Sequence, residues 1–264
     1  MDDIVVSSAD GCGTVRINRP DRGNSVTPDV VRRMGEAVQE LAATDGVGAV
    51  VLTGTGRVFC AGADVREMYD VYTADGPDAL MDYLADIWMP AVQVTVRQLW
   101  NAPLPVIAAY NGAATAGGLD FGLACDLRIA ASTAKFAESY VNLGMVPVAG
   151  GAYLLPPLIG LAPASRMIAS GAFITADEAL ELGMVSEVCS VDDLDRRARE
   201  VATEMMHGPV ATYARAKRVA RAAATVELEA ALQESLAANI DLIARPEVRK
   251  GILAVMERYS QSPS

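Results

Sequence analysis

The chain has 264 residues, with 22 Lys+Arg against 33 Asp+Glu for a formal charge of −11, and 52% of it is hydrophobic. That is the composition of a globular protein whose core is large enough to fold without disulfide or metal staples. The acidic balance argues against nucleic acid as a partner, which needs a Lys/Arg surplus, and charge or proline cuts every apolar stretch short of the ~20 residues of a membrane span.

In chain order, residues 4–6 and 14–18 flank the turn Asp10-Gly11-Cys12-Gly13 and predict an opening β-hairpin. Thr27 then caps a helix with Pro28 at its first position and an apolar stripe of Val30, Val31, Met34, Ala37, Val38 and Leu41. Residues 48–53, 105–109 and 126–130 are short apolar runs of the kind buried on both faces of a parallel sheet. Helical patterns lie between them, so the fold class is α/β. A long helical stretch, residues 77–100, is an excursion between two strands. From about residue 175 the pattern turns helical, over 175–182, 191–206, 209–224 and 226–258, with one strand-like stretch at 184–188. The expected division is an α/β core over 1–190 that holds the site, and a helical region over 191–264.

The N-terminus carries no basic segment ahead of its first strand, so no secretory leader is expected. Cys12, Cys60, Cys125 and Cys189 form no CxxC pair and read as buried thiols of a reducing compartment, with the cytoplasm as the expected location. Several engines are absent. Gly54-Thr55-Gly56 follows a strand, but Phe59 stands where a dinucleotide fingerprint needs its third glycine. No GxxxxGK[ST] or GxSxG string occurs, and His207, the one histidine, sits at a helix boundary before Gly208-Pro209. Neither a His-based triad nor a metal site is expected.

Two glycine-rich turns remain, Phe59-Cys60-Ala61-Gly62-Ala63-Asp64 and Asn111-Gly112-Ala113-Ala114-Thr115-Ala116-Gly117-Gly118-Leu119-Asp120. Small residues let another molecule approach the backbone. Amides in such turns can donate to a developing anion, and one from each turn makes a two-donor oxyanion hole. With Pro105-Val106-Ile107-Ala108-Ala109-Tyr110-Asn111-Gly112 and Ala124-Cys125-Asp126-Leu127-Arg128-Ile129-Ala130, this combination resembles the enoyl-CoA hydratase/isomerase (crotonase) superfamily. Asn18-Arg19-Pro20 with Asn24, Lys135-Phe136 with Leu143-Gly144 through Gly150-Gly151, and residues 176–185 extend the resemblance over nearly the whole chain.

The resemblance implies a spiral of ββα units with a C-terminal α-helical trimerisation region, a homotrimer or dimer of trimers, and an acyl-CoA thioester as substrate. It implies no metal and no cofactor beyond the coenzyme A of that substrate. By position, the amides of Ala63 and Gly117 are the oxyanion donors. Ala61, Gly62, Asp64, Gly118 and Glu138 are assigned to substrate binding, with Arg22 and Arg66 toward the phosphates of coenzyme A and Lys217 or Arg218 as weaker candidates. The family's hydratases carry two glutamates; here the positions hold Asp120 and Tyr140. Aspartate is one methylene shorter, and a tyrosine with pKa near ~10 is a poor base at neutral pH. Glu138, two residues earlier, substitutes only if the backbone turns it inward. Hydration of a 2-enoyl-CoA, a lyase reaction, is the leading expectation. Double-bond migration, decarboxylation, thioester hydrolysis and binding without turnover are the alternatives. Tyr69, Tyr72, Tyr83, Trp88 and Met89 are candidates for the roof of an acyl pocket.

Overall fold

The computed structural model describes residues 2–260; the remaining ends of the two expected regions, residue 1 and residues 261–264, lie outside the described residues. Strands β1 (Ile4–Ala9) and β2 (Cys12–Ile17) form the antiparallel hairpin. Helix α1 (Pro28–Ala42) follows, its Thr27 cap accepting from the Val30 amide at 3.2 Å. Strands β3 (Ala49–Gly54) and β4 (Val58–Cys60) lead to helix α2 (Val65–Asp82), a π-helical segment (Tyr83–Trp88) and helix α3 (Met89–Asn101). Then come β5 (Val106–Tyr110), β6 (Ala113–Thr115), α4 (Gly117–Leu123), β7 (Leu127–Ala131) and β8 (Lys135–Ala137). Short helices α5 (Gly151–Leu154), α6 (Pro156–Ile159) and α7 (Leu161–Ser170) precede β9 (Ile174–Thr175), α8 (Ala176–Glu181) and β10 (Glu187–Cys189). Helices α9 (Leu194–Met205), α10 (Val210–Ile243) and α11 (Pro246–Ser260) end the chain.

The larger sheet runs β1-β2-β3-β5-β7-β10, parallel from β2 onward; a smaller one runs β4-β6-β8-β9. Each of β3, β5 and β7 is followed at once by a strand of the smaller sheet and then by helix. That is the spiral of ββα units. β3 and β5 are buried along their whole length, as their unbroken apolar runs require.

The structure corrects several boundaries. The smaller sheet is absent from the sequence reading because its strands are two or three residues long, too short to show a period. The excursion becomes helical at Val65, not at 77. Asp64 caps α2 by accepting from the amides of Arg66 and Glu67, and Gly76, at φ +88°, kinks the helix before Pro77. The break expected near 225 does not exist: α10 runs through it, and the helix gives way just before Pro246, where proline opens α11 at its first position.

Candidate active site

The parallel pairing of β4 with β6 sets Cys60 beside Ala114, so the two glycine-rich turns leave adjacent strand ends and meet. The first turn is pinned from outside. Val26 donates to the Gly62 carbonyl at 2.8 Å, Asp64 donates to Val26 at 3.0 Å, and Ala61 donates to Gly23 at 3.0 Å. The Gly62 amide faces the Cys60 sulfur at 3.4 Å. Of the amides from 61 to 64, only that of Ala63 is left without an acceptor among the described bonds. In the second turn Ala116 donates to Ala137 at 2.9 Å, while Leu119 and Asp120 both donate back to Ala116. The Gly117 amide, at the first helical position of α4, also has no acceptor among the described bonds.

The turns meet closely along their backbones, and the Thr115 hydroxyl donates to the Ala61 carbonyl at 3.0 Å. Gly62 has φ +85°, and a Cβ on it would lie 3.1 Å from the Thr115 carbonyl oxygen and 3.8 Å from the Gly117 nitrogen. Ala116 is held at φ +48°, a conformation few non-glycine residues adopt and one concentrated at functional sites. Asn111 fastens the frame, accepting from the Gly54 amide at 2.9 Å and donating to the carbonyls of Gly56 and Val58.

Ala61, Ala63 and Ala116 open on an apolar cavity of about 270 Å³. Met68, Leu84, Trp88, Met145, Ile252 and Met256 are among its walls. Leu84 and Trp88 both come from the π-helical segment, an irregularity common at functional sites. Of the expected roof, Trp88 reaches the cavity, whereas Tyr69 and Tyr72 pack on each other with ring centroids 6.4 Å apart.

Tyr140 lines the same cavity and is 4% exposed. Its hydroxyl donates to Asp120 Oδ2 at 3.0 Å, and a Cβ on Gly117 would lie 3.4 Å from that hydroxyl oxygen. Asp120 itself is fully buried behind Tyr140. Glu138 is equally buried, and a Cβ on Gly151 would fall 2.2 Å from Asp120 Oδ1 and 2.3 Å from Glu138 Oε1. Both carboxyl groups thus converge on the bare backbone of Gly151. Burial pushes Asp120 up to about 6, while the Tyr140 hydroxyl and the adjacent Glu138 and Gly151 backbone pull it down. Burial, then the neighbouring Asp120, drives Glu138 well above the usual carboxylate range. Burial and the same carboxylates drive the Tyr140 phenol well upward too.

The structure therefore brings together Ala63, Gly117, Tyr140 and Asp120, with Ala61 and Gly62 in the same turn. Three other assigned residues lie outside the cavity lining. Asp64 is 4% exposed and outside the cavity lining; it caps α2 and pairs with Arg19 at 2.8 Å and Arg22 at 3.6 Å, because a helix start beside two guanidinium groups is where a carboxylate is best compensated. Gly118 is buried against β4, where a Cβ would meet the Cys60 carbonyl oxygen at 2.1 Å, so it serves packing. Glu138 lies behind Asp120 and outside the cavity lining. Lys217 and Arg218 line a different groove, and Lys217 is held by Asp126 at 2.7 Å. Arg66 is exposed on the first turn of α2. Cys60 is a packed thiol that burial pushes up to about 12. The part of Gly151, Met68, Ile252 and Met256 went unread. Gly150-Gly151 was the available signal, since paired glycines after a turn often mark close approach.

The comparisons agree with this geometry. Residues 8–262 match the family model Enoyl-CoA hydratase/isomerase. The chain belongs to the enoyl-CoA hydratase/isomerase family. It is similar to the short-chain-enoyl-CoA hydratase of Clostridium acetobutylicum, 34% identical over 80% of this chain and 78% of that one. It is also similar to 4-chlorobenzoyl coenzyme A dehalogenase-2 of an Arthrobacter species, 32% identical over 78% of this chain and 73% of that one. A solved enoyl-CoA hydratase from Mycobacterium avium subsp. paratuberculosis superposes with a TM-score of 0.82 at 28% identity, covering 97% of this chain and 96% of the other. The crotonase fold is thereby established, and the chain is an enzyme of this family. No helix among the described residues is long and apolar enough to cross a membrane.

Proposed function

We propose that this chain adds water across the C2=C3 bond of a 2-enoyl-CoA thioester. The observation that supports it most is the pair of unengaged amides, Ala63 and Gly117, beside an apolar cavity whose wall hydroxyl, Tyr140, is bonded to a buried carboxylate. The thioester oxygen accepts from both amides, which makes the carbonyl an electron sink. Water attacks C3, and the C2=C3 electron pair moves through C2 onto that oxygen. As water gives its proton to the Tyr140 oxygen, the phenol passes its own proton to Asp120 Oδ2, so no phenolate forms. The enolate then collapses: C2 takes the Tyr140 proton, and protonated Asp120 returns one to the phenol. Tyr140 conducts protons and Asp120 is the base, ionised at neutral pH with a pKa of about 6.

The step needs no cofactor beyond the coenzyme A of the substrate. Arg22 and Arg66, exposed beside the first turn, are proposed to face its phosphates. The apolar cavity fits a hydrocarbon acyl group. A homotrimer, alone or paired, is proposed as the assembly; Leu161 at 73% exposure and Phe173 at 56% are apolar surface that a neighbouring copy would cover, and light scattering reads the mass.

Asp120→Asn tests the reading. Turnover of but-2-enoyl-CoA falls 100-fold or more while thioester binding, measured by calorimetry, is kept. Unchanged turnover, or binding without turnover by the unmodified protein, overturns it. Double-bond migration uses the same single base without water, and it is the second reading that the lone Asp120–Tyr140 path favours.

A further inference from the structure

Among the described residues, Glu138 is the buried carboxyl group with both oxygens unmet by any donor group. Asp120 Oδ1, beside it, also lacks a donor from any hydroxyl, guanidinium or amide group. Two carboxylates left so, with neither water nor a cation, would be costly. The groups acting on the pair are Tyr140 from the turn after β8, Tyr110 from β5 and the Gly151 backbone at the start of α5; none is a cation. Tyr110 spends its hydroxyl proton on the Leu119 carbonyl at 3.1 Å. A proton carried by the pair itself resolves the clash.

We propose that Glu138 is a positioning residue for the Asp120 base: a neutral carboxylic acid whose hydroxyl donates to Asp120 Oδ1, so that the two buried groups together hold one proton and one negative charge. This rests on Asp120 being the base of the reaction proposed above. Tyr140 then donates to Oδ2 and Glu138 to Oδ1, and the carboxylate is fixed between two donors with its plane set. No proton leaves the pair during turnover except the one that Asp120 takes from Tyr140 and returns to it. The pair titrates as a unit. On the acid side Asp120 gains a proton and the base is lost. On the basic side Glu138 loses its proton, and a second negative charge beside Asp120 distorts the site.

The test is kcat/KM for but-2-enoyl-CoA against pH for the wild type, Glu138→Gln and Glu138→Leu. The wild type gives a bell. Glu138→Gln keeps a donor and the shape, so its acid limb stays within about half a pH unit, while the basic limb that Glu138 sets disappears; Tyr140, the ionisable group that remains in the proton path, is driven well above the ordinary phenol range. Glu138→Leu removes the donor without opening a cavity, and its acid limb rises by about one unit or more, a tenfold loss near pH 6. A basic limb retained in Glu138→Gln, or an unmoved acid limb in Glu138→Leu, overturns the proposal. If the leucine variant fails to fold, the glutamine variant decides alone. A second readout is independent of activity: the infrared C=O stretch of a protonated carboxyl group, present in the wild type at pH 7.5 and missing in Glu138→Gln. Its absence from the wild type refutes the one-proton pair even if hydration is confirmed; its presence supports the pair even if the substrate proves to be another thioester.

Discussion

Gly151→Ala is a small substitution with a large consequence. Gly151 opens α5 with an ordinary helical backbone, so alanine adds no conformational strain there, and the effect is purely steric. The new methyl carbon would sit 2.2 Å from Asp120 Oδ1 and 2.3 Å from Glu138 Oε1, where ordinary contact begins at 3.4 Å. Each oxygen must retreat by about 1 Å, and a misplacement of that size at a reacting group costs about 100-fold in rate. The expected result is a kcat for but-2-enoyl-CoA lowered about 100-fold with KM within about threefold, since the oxyanion amides and the acyl cavity are untouched. Overpacking also costs about 1–3 kcal/mol of stability, so thermal unfolding must show the variant folded at the assay temperature. Gly208→Ala, where nothing lies within 4 Å of the added carbon, is the control and keeps full activity. A folded Gly151→Ala enzyme with kcat within threefold of wild type would refute the placement of Asp120 in the reaction.

Other outcomes follow from the same geometry. Tyr140→Phe removes the proton path and lowers kcat at least tenfold in steady-state assays; a smaller loss would reduce Tyr140 to a wall residue. Asp120→Asn, at least 100-fold slower in turnover, is more stable than the wild type near pH 7.5. The native carboxyl keeps its proton up to about pH 6 against 3.8 when unshifted, so the fold loses stability as pH rises from about 4 to about 6 and does not regain it above. Removing that ionisation returns up to about 3 kcal/mol, measurable by urea unfolding at pH 5 and pH 7.5. Asp126→Ala strips Lys217 and Arg221 of their shared partner in a site where Lys217 is only 5% exposed. It destabilises the fold by about 3–5 kcal/mol, seen in the same unfolding assay, without shifting the pH profile of the folded enzyme.

Much of this site was legible in the chain because its parts are backbone features. The glycine-rich turns, the helix start after the second one and the buried strands that aim them all follow from residue size and periodicity, and the structure places Ala63 and Gly117 accordingly. What the sequence did not show depends on long-range approach. Glu138 lies two residues from Tyr140, yet a short helical turn (Ser139–Leu143) sends its carboxyl behind Asp120 while Tyr140 faces the cavity. Nothing local marks that difference. Asp64 carries the same chemistry as a binding carboxylate; only the fold brings Arg19 against it. The cavity wall from α11, more than 100 residues beyond the turns, follows from how the last helix folds back, which periodicity cannot specify.

The measurement that tests the central claim most directly is mass spectrometry of but-2-enoyl-CoA and but-3-enoyl-CoA after incubation with the enzyme in D₂O, read beside the Asp120→Asn variant. The account predicts that the 2-enoyl thioester gains one D₂O, with one non-exchangeable deuterium at C2, and that the variant forms this adduct at least 100-fold more slowly. Deuterium uptake or interconversion of the two thioesters without added water would contradict hydration and leave Asp120 as the base of an isomerase. An adduct formed equally fast by the variant would contradict the assignment of Asp120.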